Sequence, residues 1–202
     1  MLCIWESVSN LKILSKFFRY CISNGEGLIK MREETNHIQN YYYIQKYRFE
    51  ERINMEIRIE SDELYELYIP KMSLQPIVEN AMIHGLEKIA SHGKIIIRIN
   101  STPKKVIIIV EDNGKGMTTE QLEKLNEKMQ SAFVNANTQT TNRNGIALTN
   151  VNARIKISFG SGYGIHYRSM EERGTQAVLT IPRIDEFARV KYADLLHAED
   201  SI

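Results

Sequence analysis

Two side chains suited to binding a metal ion and a phosphate lie one helical turn apart near residue 80. Asn80 and His84 are four residues apart, so a helix places them on one face. The amide oxygen of Asn80 could complete the shell of a Mg²⁺ ion held mainly by phosphate and water. His84 could donate a hydrogen bond to a ribose or a phosphate. Taken alone, the pair is better explained as a capping asparagine and a surface histidine at a helix end.

A carboxylate directly follows the very apolar stretch at 105–111. At the end of a strand, Asp112 could accept a hydrogen bond from an adenine amino group. Gly114 and Gly116 would let the backbone pass close to a flat base. Taken alone, Asp-Asn-Gly is also a common turn sequence.

Two further glycines introduce predicted elements. Gly145 leads from a polar stretch into a helix, whose free N–H groups could face a phosphate. Gly174 opens the last strand, and Thr175 beside it could reach a base through a water molecule. Each also fits an ordinary helix start or turn.

The spacing of apolar residues predicts the elements that carry these groups. Helical spacing at 3–22 and at about 29–49, separated by the breaker at 24–27, predicts an αα-hairpin. Strict alternation predicts a strand at 53–59. Further helices are predicted near 73–85, 118–129 and 146–159 and after Pro182, and further strands near 94–100, 105–111, 164–169 and 175–181.

Three local features refine this assignment. Ser73 is predicted to cap the helix that carries Asn80, with Pro76 in its first turn. Residues 131–144 are polar and weakly patterned, which indicates a mobile loop. In the helix after Pro182 the predicted apolar positions are Phe187, Val190, Leu195 and Leu196.

The order of elements predicts an α+β fold, a two-layer sandwich with one mixed sheet and helices on one face, preceded by a helical hairpin. We expect three segments: a partial helical region at 1–50, the sandwich at 51–183, and a helical tail at 184–202.

Composition narrows the possible classes. The 202 residues carry 26 Lys+Arg and 25 Asp+Glu, a net charge of +1, which argues against broad binding to nucleic acid. Cys3 and Cys21 do not form a disulfide framework, so a reducing, cytoplasmic setting is expected. The sequence contains neither a signal peptide pattern nor an apolar run of the roughly 20 residues that a membrane span needs.

Together the four places resemble, in order and approximate spacing, the N, G1, G2 and G3 boxes of the GHKL (Bergerat) ATP-binding fold, a group that includes histidine kinases and gyrase-type ATPases. The residues concerned are Asn80, Asp112-x-Gly114-x-Gly116, Gly145-x-Ala147-Leu148 and Gly174-Thr175. Further stretches are similar to bacterial sensor histidine kinases of the LytS/YesM type. They are Leu14-Ser15 with Arg19-Tyr20, 43–49, Ile69-Pro70 and 74–81.

The resemblance implies ATP and Mg²⁺ as cofactors. It implies that Asn80 binds Mg²⁺, that Asp112 recognises adenine, and that residues 131–144 form a lid over the nucleotide. The other implied ATP-binding residues are His84, Gly114, Gly116, Met117, Arg143, Gly145, Ile146, Leu148 and Thr175.

The resemblance also implies an activity. Such a kinase transfers the γ-phosphate of ATP to a histidine on its own dimerisation helices, and then to a response regulator. The family's Asn-Pro-His-Phe-like acceptor motif does not occur in this sequence. We therefore expect a fragment of a longer, membrane-anchored sensor, with the acceptor histidine upstream, that forms a homodimer through its N-terminal helices.

Three departures bear on catalysis. Ala147 and Ile83 stand where relatives usually have glycine and often lysine, although Arg143 or Lys115 could replace the missing charge. Ala147 and Ile83 therefore favour the alternative that the chain is a non-catalytic interaction module. Pro76 stands where ATP-hydrolysing relatives carry a glutamate, which disfavours an ATPase. Glu79 points about 100° away from Asn80 on a helix and is a weaker candidate base.

Overall fold

The computed structural model describes residues 2–22, 27–49, 52–86, 92–131 and 146–197. Helices α1 (Leu2–Ile22) and α2 (Met31–Phe49) pack against each other. The predicted hairpin is therefore present, although most of its predicted turn lies outside the described residues. Between the helices lies the short strand β1 (Leu28–Lys30), which the sequence analysis missed. It pairs antiparallel with another unpredicted strand, β3 (Tyr68–Pro70).

Five strands form one mixed sheet, as predicted. In chain order they are β2 (Ile53–Ile59), β4 (Gly93–Ser101), β5 (Lys105–Asp112), β6 (Gly164–Met170) and β7 (Gly174–Pro182). Their spatial order is β2-β4-β5-β7-β6, with β2 and β4 parallel and the other neighbours antiparallel. The antiparallel pairs β4–β5 and β6–β7 are the two predicted hairpins.

The helices cover one face of this sheet. They are α3 (Gln75–Asn80), which continues into one π-helical turn (Ala81–Gly85), then α4 (Thr119–Ser131) and α5 (Ile146–Phe159). Their apolar side chains share one core with the inward-facing residues of the strands. The fold is the predicted α+β sandwich. No helix within the described ranges is both long enough and apolar enough to cross a lipid bilayer.

Alternation along β5 determines which way Asp112 points. Val106, Ile108 and Val110 are buried and alternate with half-buried residues, as period two requires. Asp112 continues this buried set as the last residue of the strand. The same register that builds the core therefore places a carboxylate at the inner edge of the sheet.

One local prediction was wrong. Ser73 does not cap α3, because its hydroxyl donates to the Pro70 carbonyl and Leu74 holds the cap position. The predicted helix after Pro182 is present as α6 (Glu186–His197). Of its predicted apolar positions, Phe187 and Val190 are 94% and 67% exposed, and the side chains of Leu195 and Leu196 lie outside the described residues. Ala188 and Tyr192 instead pack on a small cluster formed by the residues Leu28, Tyr68 and Ile184.

The helical hairpin is joined to the start of α3 by a buried carboxylate. Glu34 is fully buried and accepts hydrogen bonds from the backbone N–H groups of Met72 and Leu74, at 3.1 and 2.8 Å, and from the Tyr20 hydroxyl. Burial raises the pKa of Glu34. This single side chain thus connects α1, α2 and the turn that leads into the helix of Asn80.

Glu34→Ala should destabilise the protein by about 2–4 kcal/mol, because two backbone donors and a tyrosine hydroxyl lose their acceptor. Urea denaturation measures the change in free energy. Glu33→Ala removes the neighbouring, exposed carboxylate and should change stability by less than about 0.5 kcal/mol. Equal effects of the two substitutions would contradict this role of Glu34.

Candidate functional site

Three segments of backbone converge around Asp112. The Gly114 N–H donates to Asp112 Oδ1 at 2.8 Å, and the Lys115 N–H donates to the Gly85 carbonyl at 3.2 Å. A Cβ atom on Gly114 would lie 2.2 Å from the Gly85 oxygen, and one on Gly85 would lie 2.7 Å from Asp112 Oδ1. Only glycine therefore allows the end of the π-helical turn to approach the loop after β5 this closely.

The carboxyl group of Asp112 lies in an environment that opposes its charge. It is 5% exposed, and burial raises its pKa to about 6, although the backbone N–H groups of Gly114 and Thr175 act in the opposite direction. Thr175 pairs with Asp112 across β5 and β7 and is itself buried. A desolvated acceptor with few partners is suited to bind one donor group strongly.

The loop after β5 packs closely against the β6–β7 turn and is hydrogen-bonded to it. Gly116 has φ +66°, and a Cβ atom there would lie 1.9 Å from the Met170 carbonyl oxygen. The Lys115 carbonyl accepts a hydrogen bond from the Glu172 N–H at 2.6 Å. Met117, half-buried, packs against the core. The loop after β5 therefore runs from Gly114, which contacts Asp112, through Gly116 to Met117 at the β6–β7 turn.

Ser169 is a residue of this site that the sequence analysis missed. Its hydroxyl accepts from the Met117 N–H at 2.9 Å, donates to the Gly174 carbonyl at 2.8 Å and contacts the Thr175 hydroxyl at 2.9 Å. It connects the loop after β5 with the start of β7. The predicted hairpin at 164–181 was the available signal, because its register pairs Ser169 with Thr175.

The helix of Asn80 changes its winding directly after that residue. Residues 75–80 are α-helical, and residues 81–85 form a π-helical turn closed by the Leu86 N–H donating to the Ala81 carbonyl at 3.1 Å. Asn80 is half-buried and His84 is exposed. Single π-helical turns are rare and are frequent at functional sites. No sequence pattern indicated this one.

Glu79 faces the helical hairpin. The side-chain N–H of Gln75 donates to the Glu79 carboxylate at 2.7 Å. The amide oxygen of Gln75 lies 2.5 Å from His37 Nε2 on α2. The His37 ring stacks between Phe17 and Tyr20 of α1. The charge of Glu79 also contributes to raising the pKa of Tyr41, after burial. A polar connection therefore runs from α1 and α2 to the residue beside Asn80.

The donor set fits a metal ion held mainly by its substrate. The described residues contain no group of three or more His, Cys, Asp or Glu side chains arranged to bind a metal. The amide of Asn80 is half-buried and makes no hydrogen bond within those residues. One amide oxygen with phosphate and water completing the shell is compatible with Mg²⁺.

The predicted phosphate end of the site is only partly described. Arg143 and Gly145, with all of the loop predicted at 131–144 except Ser131, lie outside the described residues, and Ser131 is the last residue of α4. Helix α5 begins at Ile146, as predicted, and Ala147 in its first turn is exposed. Leu148 belongs to the core, so only its backbone N–H could face a phosphate.

A five-stranded mixed sheet, helices on one face and a buried aspartate at a strand end match the GHKL class of sandwich. A family model described as "Histidine kinase-, DNA gyrase B-, and HSP90-like ATPase" matches residues 70–185, and one described as "Histidine kinase" matches residues 6–53. The chain belongs to the histidine kinase-, gyrase- and HSP90-like ATPase family, and its matched segment is the ATP-binding domain type found in sensor histidine kinases.

Similar curated proteins are sensor kinases. The chain is 35% identical to the sensor histidine kinase YesM of Bacillus subtilis over 169 residues, 84% of this chain and 26% of that protein. It is 32% identical to the sensor protein LytS of Oceanobacillus iheyensis over 170 residues, 84% of this chain and 28% of that protein. The chain thus spans just over a quarter of the length of these two relatives.

Solved structures agree on the fold. The histidine kinase domain of the Erythrobacter litoralis EL346 blue-light activated kinase has a TM-score of 0.54 at 12% identity, covering 93% of this chain and 76% of that one. The catalytic domain of the histidine kinase ThkA has a TM-score of 0.52 at 16% identity, covering 79% and 97%. At such low identities these similarities establish the architecture alone.

Proposed function

We propose that this chain is the ATP-binding catalytic part of a two-component sensor histidine kinase. The observation that carries the proposal is the Asp112 carboxylate, buried at the end of β5 and enclosed by the backbone of Gly85, Gly114 and Thr175. A buried acceptor that the backbone approaches this closely suits the amino edge of a flat base. In this proposal Asp112 binds the adenine amino group, and Gly114, Gly116, Met117 and Thr175 surround the base.

The phosphates would extend from the base toward Asn80 and the start of α5. Asn80 would hold Mg²⁺, which when bound neutralises charge that develops on the phosphates. His84 would contact the ribose or a phosphate, and Arg143, Gly145, Ile146 and Leu148 would contact the phosphates. Pro76 lacks the acid that would activate water, which favours transfer of the γ-phosphate over its hydrolysis.

The acceptor of the γ-phosphate would be a histidine outside these 202 residues. Glu79 faces α1 and α2, so we propose it as a candidate base on the side where an acceptor helix would approach, rather than among the phosphates. The phosphoryl group would then pass to a response regulator. ThkA, a structure of the same fold, has been solved with the response regulator TrrA.

We further propose that residues 1–50, 51–183 and 184–202 act as a dimerisation region, a catalytic domain and a tail. One face of α1 exposes Leu11, Leu14, Phe18 and Ile22, at 70%, 38%, 51% and 74%, which supports a homodimer through the hairpin. We also propose that the parent protein is a bacterial, membrane-anchored sensor. Because ATP is a cytoplasmic substrate, the proposed domain would lie on the cytoplasmic side of the membrane.

The first test separates nucleotide binding from self-labelling. After incubation with Mg²⁺ and γ-labelled ATP, the chain should bind nucleotide but carry no acid-labile phosphate, because its five histidines lie outside the family's acceptor motif. Stable phosphohistidine on this chain would contradict the proposed acceptor. Absence of binding at millimolar ATP would instead favour the non-catalytic module, to which Ala147 and Ile83 point.

Binding should also depend on pH through Asp112. An adenine amino group binds to the ionised carboxylate, so affinity should fall as pH drops through about 6, by up to about tenfold per pH unit. Isothermal titration with adenosine, which carries no titrating phosphate, isolates this effect between pH 5 and 8. Affinity that does not change over this range would contradict the assignment of Asp112.

A further inference from the structure

The phenol of Tyr167 combines deep burial with an unsatisfied polar atom. The residue is 1% exposed, and its hydroxyl has no hydrogen-bond partner anywhere in the described part of the chain. A buried hydroxyl without a partner costs free energy, and native structures rarely retain one without a reason. A bound ligand could supply the hydrogen-bond partner that this hydroxyl lacks.

The register of the sheet places Tyr167 beside the Asp112 pocket. Asp112, Thr175 and Ser169 form one row across strands β5, β7 and β6, and Val110, Ala177 and Tyr167 form the next inward-facing row. Ala177, with only a methyl group, separates the ring from Val110. The Tyr167 side chain therefore occupies the inner face of the sheet one row behind the residues that surround Asp112.

The pKa of the Tyr167 hydroxyl also reflects its position near Asp112. Burial raises the pKa of Tyr167, and the negative charge of Asp112 raises it further. The phenol hydroxyl thus lies within electrostatic reach of the carboxylate. It stays protonated at physiological pH and is available as a hydrogen-bond donor.

Helix α4 fixes the backbone that carries this ring. Asn126 accepts the Tyr167 N–H at 3.0 Å and donates to the Tyr167 carbonyl at 3.0 Å. Both hydrogen bonds are made to an edge strand of the sheet, whose backbone groups on that side lack a strand partner. The two hydrogen bonds hold the backbone at Tyr167 in place on this edge of the sheet.

We infer that the Tyr167 hydroxyl is a recognition group at the back of the base pocket, donating to a purine ring nitrogen directly or through one ordered water. The inference rests on the proposed ATP site. Ionised Asp112 only accepts hydrogen bonds and therefore suits the exocyclic amino group of adenine. A donor beside it suits the neighbouring ring nitrogen, so the two residues together would match adjacent donor and acceptor positions on one edge of adenine.

Tyr167→Phe tests this role because it removes one oxygen atom and keeps the ring. We expect the affinity for ATP and for adenosine to fall by about five- to thirtyfold, the loss expected for one buried hydrogen bond. Stability of the nucleotide-free protein should be unchanged or higher, since an unsatisfied polar atom is removed. Tyr163→Phe, a half-buried tyrosine that packs against Phe159, is the matched control and should leave affinity unchanged.

The outcomes are distinguishable. If wild-type protein and Tyr167→Phe bind ATP equally, the inference fails and the proposed ATP site remains. If Tyr167→Phe weakens adenosine binding while Tyr163→Phe does not, the hydroxyl contributes to recognition of the base. If the wild-type protein binds neither ATP nor adenosine, the proposed function and this inference both fail.

Discussion

Asp112→Asn is expected to abolish ATP binding while making the nucleotide-free protein more stable. The side-chain oxygen of asparagine can still accept from the Gly114 N–H. Its side-chain NH₂ group, however, presents hydrogen-bond donors to the adenine amino group, which is itself a donor. The charge-assisted hydrogen bond is lost and a donor–donor repulsion replaces it. We expect affinity to fall by at least about 100-fold.

The gain in stability follows from the raised pKa of Asp112. This pKa rises from the ordinary 3.8 to about 6 in the folded protein, so between those values the folded state binds more protons than the unfolded state. Stability contributed by this group is therefore highest below about pH 4, falls as pH rises to 6, and stays low above that. Asparagine removes the buried charge, and we expect a gain on the order of 2 kcal/mol at pH 7.5 that disappears near pH 4.

Urea denaturation at the two pH values measures this gain, and isothermal titration measures the loss of binding. Glu111→Gln is the matched control, because it removes the same charge from the residue just before Asp112 in β5, whose side chain pairs with Arg98. It should leave ATP affinity unchanged. An Asp112→Asn protein that binds ATP normally, or that is less stable at pH 7.5, would contradict the account.

Gly174→Ala is expected to disrupt the site by a different route. Gly174 has φ +95°, and a Cβ atom there would lie 1.9 Å from the Asp112 carbonyl oxygen, which belongs to the backbone and cannot move away cheaply. Relief requires β7 to separate from β5 at the residue pair Asp112 and Thr175. We expect a destabilisation of at least about 4 kcal/mol, with loss of ATP binding.

Gly160→Ala is an unusually close control. Gly160 has φ +96°, almost the same as Gly174, but a Cβ atom there meets nothing within 4 Å. We expect a cost of about 1–2 kcal/mol from the conformation alone, with ATP binding retained. The difference between the two variants in urea denaturation isolates the steric overlap, and equal costs would show that the overlap is unimportant.

The sheet could be predicted from the sequence because its core face follows a simple alternation. β2 was predicted at 53–59, where the structure has it, and the strands around Asp112 were predicted to within about one residue. Both hairpins of the sheet also followed from adjacent apolar runs. These elements bury one face each, so period and burial agree.

Elements that depend on tertiary contacts could not be predicted. β1 and β3 are three residues each and exist because they pair with one another. In α6 the contacts are made by Ala188 and Tyr192, while the larger Phe187 is exposed. A small residue can be buried wherever the partner surface is close, which spacing alone does not reveal.

In the candidate site, too, some residues could be predicted from the sequence and others could not. The motif residues on loops and strand ends were found because their types are unusual there, and the fold brings Asp112, Gly114, Gly116 and Thr175 together. Ser169 was missed because a serine in a strand carries no signal by itself. The π-helical turn after Asn80, which lies against β5, was missed because no sequence pattern marks such a turn.

In the proposed site, Mg²⁺-ATP binds between the helix of Asn80 and the loop after Asp112. An NMR titration of ¹⁵N-labelled protein with Mg²⁺ and a non-hydrolysable ATP analogue tests this site. We expect saturable shifts of the backbone amides of Gly114, Gly116 and Thr175 and of the Asn80 side-chain amide, absent in Asp112→Asn. Saturable shifts confined to other parts of the chain, or no shifts at millimolar nucleotide, would mean that this is not the nucleotide site.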